Sequence, residues 1–204
     1  MFDFIKSIPT TLGLSVLALI VFAFPELAGL LEYDTSKFPS VQPLQWLGCH
    51  LLHWTSSHLF WDLGMFALLG GICERISPKR TGALLLIAAL VIPVAVAITN
   101  PDLGTYRGLS GLDTALFSMA TICLGVERLR DKDTGGVLLY VGLFFGMALK
   151  IYSEVLTGST MFVESSQFTP VPVAHVAGAL AGCLVGAVEW GKPGSSKVSV
   201  ATAG

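Results

Sequence analysis

Charge is scarce in this chain. Of its 204 residues only 13% are charged, while 53% are hydrophobic; an ordinary soluble domain carries about 25% charged residues. Mean hydropathy is +0.72. A chain this short has too little interior to hide so much apolar surface from water. That excludes a soluble globular domain and makes lipid the natural solvent. Net charge is only -2, and no basic stripe suggests a nucleic-acid partner. Cysteine is sparse and scattered: Cys49, Cys73, Cys123 and Cys183 show no CxxC spacing. Neither a disulfide framework nor a metal site is expected from them, and they read as small core residues. No cofactor motif, repeat or second domain is visible, and the lack of an inverted repeat argues against a transporter.

What the sequence does have is long apolar runs. Six stretches are of membrane-spanning length, at roughly 11–31, 56–74, 82–99, 109–126, 135–153 and 171–190. They predict an all-α membrane protein, a single six-helix domain over residues 1–190. Lys6 precedes the first run as in a signal peptide, but no A-x-A-like site follows, so an uncleaved helix is expected. Residues 191–204 are rich in Gly, Ser and Lys and predict a disordered cytoplasmic tail. Lys6, Arg75, Lys79, Arg80, Arg128, Arg130, Lys132, Lys192 and Lys197 fall on one side of this topology. Lys37, Arg107 and Lys150 fall on the other. The positive-inside rule then puts both termini in the cytoplasm, as in a bacterial inner-membrane protein.

That topology makes the second, fourth and sixth segments all begin at the outer face. His58, Ser110 and His175 each lie in the first turns of one of them. Polar side chains inside a membrane are costly and usually face the bundle interior or a wet cavity. Three helix N-termini at one depth also gather exposed N–H groups, which suits a developing oxyanion. Gly108-Leu109-Ser110-Gly111 has the form of a nucleophile turn, with glycines permitting close backbone approach. Gly178, Gly182 and Gly186 form a small-residue face one turn after His175, so the sixth helix can approach a neighbour closely. If that neighbour is the fourth, His175 reaches Ser110 and can take its proton. No acidic residue stands in an obvious place to orient His175, so a dyad is expected rather than a triad. His50, His53 and His58 are each open to a structural reading, capping helices or bonding loop carbonyls, or to a role as metal or haem ligands. For His50 the structural role is the expectation.

Taken together, these residues resemble the rhomboid family of intramembrane serine proteases. His53-Trp54-Thr55-Ser56-Ser57-His58-Leu59-Phe60-Trp61-Asp62 looks like that family's second-helix opening, and Gly70-Gly71-Ile72-Cys73-Glu74-Arg75 like the ending of the same helix. Gly108-Leu109-Ser110-Gly111 matches the nucleophile motif, and Ala174-His175-Val176-Ala177-Gly178 the sixth-helix motif. The resemblance implies a six-helix bundle that admits single-pass membrane proteins laterally from the lipid bilayer and cuts them near the outer face. It implies Ser110 as nucleophile and His175 as base. The Ser110 N–H and His58 would hold the oxyanion, and His53 would tie the first loop to the second helix. Tyr106-Arg107-Gly108-Leu109-Ser110-Gly111 and a short first loop, roughly 32–48, resemble the rhombosortase branch, associated with C-terminal Gly-Gly sorting tails.

Two positions depart from the family pattern. Asp62 stands where the family has an oxyanion-binding Asn, and Thr114, beside Asp113, stands where an aromatic often stacks on the catalytic histidine. A carboxylate beside an oxyanion would repel it, which admits a catalytically inactive, client-binding relative as the alternative. Asp62 could stay protonated and donate like Asn, which is the expectation, or stay charged, turn aside and pair with His58.

Overall fold

A computed structural model describes residues 7–160 and 169–188. It is built from helices: α1 Pro9–Ala23, α2 Ala28–Leu31, α3 Pro43–Gly48, α4 Ser56–Ile76, α5 Pro78–Thr99, α6 Ser110–Arg130, α7 Thr134–Thr157 and α8 Pro172–Ala187. The six long ones are α1 and α4 to α8. They match the six apolar segments, with one correction. The first segment does not run on to residue 31. Pro25 lacks an N–H and cannot continue the helix, so α1 ends at Ala23 and the chain bends by 100° into Pro25–Leu31. The predicted tail over 191–204 and the last residues of the sixth segment lie outside the described residues.

Local chemistry sets the helix ends. Thr55 caps α4 by accepting from the His58 N–H at 3.1 Å, and Ser77 caps α5 through the Arg80 N–H. Asp133 caps α7 through the Gly136 N–H. The helix α7 stops at Gly158, whose φ of +64° ends it in a left-handed turn. By length and composition alone, α5 and α7 are apolar enough to cross a membrane, and α1 joins them when counted with its bent continuation. In α4 and α6 polar side chains dilute the apolar signal, yet His58, Asp62, Glu74, Asp113 and Ser118 are all buried. Those helices turn their polar groups inward, as lipid requires.

The helix α6 is the centre of the bundle, in contact with α4, α5, α7 and α8. Its closest partner is α8. A Cβ on Gly178 would collide with the Gly111 carbonyl, and one on Gly182 with the Ala115 carbonyl. The small face on α8 therefore brings two backbones into contact. The far end is held by charge. Glu74, fully buried, accepts from the Thr10 and Thr11 N–H groups at 2.9 and 2.8 Å and from the Thr11 hydroxyl at 2.8 Å. It thereby satisfies the open N-terminus of α1, each charge-assisted bond contributing roughly 1.5–3 kcal/mol. Arg80 donates to the Val185 and Gly186 carbonyls at 3.0 and 3.3 Å, closing the last turn of α8.

Candidate active site

The approach to Ser110 is fixed by the first loop. Tyr33–Asp34 (β1) pairs antiparallel with Thr105–Tyr106 (β2), and the Thr35 N–H donates to the Gly104 carbonyl at 2.8 Å. Arg107 pairs with Glu32 and lies over the Trp54 ring, 4.2 Å from its centroid. The Gly108 N–H donates to the Cys49 carbonyl at 3.0 Å. His50 sits between the Ala89 and Gly108 carbonyls, at 3.1 and 3.3 Å from Nε2 and Nδ1. Its complete burial pushes its pKa below the ordinary 6.5, because desolvation disfavours the charged ring. This histidine bonds loop carbonyls, in a structural position. Gly108 has φ of +123°, and a Cβ there would stand 3.1 Å from His58 Nε2 and 3.3 Å from Asp62 Oδ2. Both facts demand glycine.

Asp62 is what that turn wraps around. Its Oδ2 accepts from the Leu109 and Ser110 N–H groups, each at 3.1 Å. The Trp54 N–H donates to His58 Nδ1 at 3.5 Å, which leaves the His58 Nε2–H to donate to the same Oδ2 at 3.1 Å. His53 reaches in from the loop, with Nδ1 at 3.2 Å from the Leu51 carbonyl and Nε2 at 3.4 Å from Asp62 Oδ2. Three donors, the two amides and His58, thus converge on this oxygen, while His53 Nε2 stands near it without a hydrogen bond among the described residues. The expectation of an Asn-like donor is corrected here. Asp62 pairs with His58, as in the second alternative, but it does not turn aside. It holds the Ser110 N–H itself.

His175 lies in the first turn of α8, against α6. A Cβ on Gly111 would come within 3.1 Å of the Ala174 carbonyl, so the residues next to Ser110 and His175 touch through their backbones. The expectation that no acid orients His175 is also corrected. His175 Nδ1 lies 2.8 Å from Glu154 Oε2 on α7, and Lys150 Nζ lies 3.0 Å from Glu154 Oε1. Sequence reasoning missed both residues. The signal was two opposite charges four apart, on one face of an apolar helix. The Ser110 hydroxyl has no hydrogen-bond partner among the described residues. Thr114 does not contact the imidazole through its hydroxyl, which bonds back to the Ser110 carbonyl at 2.9 Å. Asp113 is buried, with Oδ1 unpaired among the described residues.

Ser110, His175, His58, Asp62, Asp113 and Glu154 all line one cavity of about 740 Å³. It runs down between α4 and α7, where Met65, Leu69, Gly142 and Gly146 form its walls. The chemistry-bearing end is polar and the rest apolar, a shape that fits an extended, mostly apolar ligand better than a small ion.

A family model described as Rhomboid domain matches residues 40–192, from just before α3 to beyond α8. The chain belongs to the rhomboid family. The rhomboid match and the apolar helices make it an integral membrane protein with a rhomboid-like helical bundle. The family is one of intramembrane proteases and inactive relatives, and rhomboid proteases act on membrane-protein substrates within the bilayer. A search of curated proteins returned no match. Within the rhomboid frame the matched span takes in the second-helix histidines, Ser110 and His175. It leaves out α1, which Glu74 ties to the rest.

Proposed function

We propose that this rhomboid is an active intramembrane serine protease in which Ser110 attacks the scissile carbonyl and His175 takes its proton. The observation that carries the reading is the backbone contact of Gly111 with Ala174 and Gly178. It brings the starts of α6 and α8 together, and Ser110 and His175 both line one cavity, which supports their acting as a pair. The attack forms a tetrahedral intermediate whose oxyanion would receive the Ser110 N–H and the His58 Nε2–H. Collapse of the intermediate breaks the C–N bond, and the leaving amine takes its proton from His175. Water, activated by the same histidine, then hydrolyses the acyl-serine. Asp62 Oδ2 has to yield both the Ser110 N–H and the His58 Nε2–H as the oxyanion forms.

The substrate class follows from the cavity and the charge pattern. A cavity open between α4 and α7, with the reacting groups at one end, suits a single-pass helix entering from lipid and unwinding near the site. The positive-inside pattern makes that end the outer face, with six spans and both termini in the cytoplasm of a bacterial inner membrane. The Tyr106-to-Gly111 segment supports a rhombosortase-like preference for Gly-Gly ahead of a C-terminal helix, since glycine weakens the helix that hides the scissile carbonyl. His53 serves as the tie between Leu51 and the Asp62 cluster. Gly108, Gly111 and Gly178 are the structural glycines.

One observation favours a second reading, an inactive client-binding relative: the Ser110 N–H is already taken by Asp62. Labelling of the purified protein with a fluorophosphonate, followed by mass spectrometry of the adduct, separates the two. The protease reading predicts an adduct on Ser110 that is absent in Ser110→Ala. No adduct in a folded wild-type protein would favour the inactive relative.

A further inference from the structure

We propose that Glu154 is a positioning residue for His175, so that this rhomboid uses a Ser110–His175–Glu154 relay and not a dyad alone. The inference rests on the protease reading above and deepens it. Three observations carry it. The first is the 2.8 Å contact between Glu154 Oε2 and His175 Nδ1. A carboxylate only accepts, and its 2.8 Å contact is far shorter than the 3.5 Å approach of Lys150 Nζ to the same nitrogen, so Nδ1 bears the hydrogen and Nε2 is left with its lone pair. That is the tautomer able to take a proton from a serine hydroxyl. The second is burial: the Glu154 side chain is only 3% exposed, on a helix whose other buried residue is Ile151 alone. A carboxylate in so apolar a helix is costly unless it is used. The third is Lys150, whose Nζ lies 3.0 Å from the other carboxylate oxygen. It offsets the charge and fixes the carboxylate plane, leaving Oε2 aimed at the imidazole. When His175 accepts the Ser110 proton on Nε2, the resulting imidazolium faces Glu154 through Nδ1. The proton stays on the ring, and the carboxylate stabilises it.

The test is steady-state cleavage of a fluorogenic transmembrane peptide carrying Gly-Gly, by full-length protein in detergent. Glu154→Gln keeps an acceptor but loses the charge. It should lower kcat by about 100-fold or more with KM within about twofold, as for the acid of other serine-histidine relays. Glu154→Asp should restore most of the loss. Ile151→Ala is the structural control, since it loosens the same helix without touching His175. It should lower Tm and leave kcat near wild type. Wild-type kcat in Glu154→Gln overturns the proposal. So does a loss of kcat that Ile151→Ala reproduces at an equal loss of Tm. Ser110→Ala run in parallel isolates the underlying reading: cleavage surviving there removes the protease itself, whereas its loss there with an active Glu154→Gln removes only the relay.

Discussion

The two seams that meet at the site are built in opposite ways. Between α6 and α8, glycines bring backbone onto backbone, and there is no room for a single added carbon at Gly178 or Gly182. Between α4 and α7 lies the 740 Å³ cavity, and α7 turns Leu138, Leu139, Phe145, Leu149 and Leu156 outward. A Cβ on Gly142 or Gly146 of α7 would meet nothing within 4 Å. The lesson is a division of labour. The tight seam fixes the positions of Ser110 and His175, and the loose one leaves room for a substrate. Glu154, and behind it Lys150, reach from the loose helix to His175 of the tight pair.

The largest way to break this contrast is to add bulk on the tight side. Gly178→Leu should abolish cleavage and destabilise the bundle by about 3 kcal/mol, through overpacking against the Gly111 carbonyl. Thermal unfolding in detergent and peptide cleavage check both effects. Next comes Asp62→Asn, which removes the charge at the centre of the donors around Oδ2. Stability should fall by about 1–2 kcal/mol as charge-assisted bonds become neutral ones. Cleavage should fall as well, because His58 and the Ser110 turn lose their common anchor. A rise in cleavage would mean that Asp62 acts chiefly as a plug on the Ser110 N–H. Bulk on the open side is the mirror experiment. Gly146→Leu should leave Tm unchanged or raise it slightly, since leucine gains about 0.8 kcal/mol of helix propensity over glycine. Its KM should rise as the cavity narrows.

The smallest effect concerns pH. Burial holds His50 neutral in the fold, so the unfolded chain binds a proton at pH values where the native state does not. The stability of the neutral ring is complete above its ordinary 6.5 and is lost as pH falls from there toward the lower native value. His50→Gln should remove that part of the acid destabilisation, measured as the difference between the two proteins' Tm against pH.

These contrasts show where sequence reasoning succeeds. Apolar runs locate the long helices because lipid enforces length and composition. The first is overextended because Pro25, a helix breaker, and Glu26 are a brief interruption in what otherwise reads as one apolar stretch. The Gly178, Gly182 and Gly186 spacing is legible because a helix face is a local property. Asp62 is legible only in part. Its spacing puts it on the His58 face, but its bonds to the Leu109 and Ser110 amides depend on the turn that Gly108 makes. Glu154 is hidden because its partner lies 21 residues away across two helices. A Lys–Glu pair in an apolar segment, its carboxylate buried, is still a clue to function.

The most direct test of the account is cleavage of one transmembrane substrate by Ser110→Ala, His175→Ala and the double variant, each shown to be folded by thermal unfolding. Two groups acting as one unit lose everything once. The account predicts that each single variant abolishes turnover and that the double variant is no worse. Substantial cleavage by folded Ser110→Ala would contradict it.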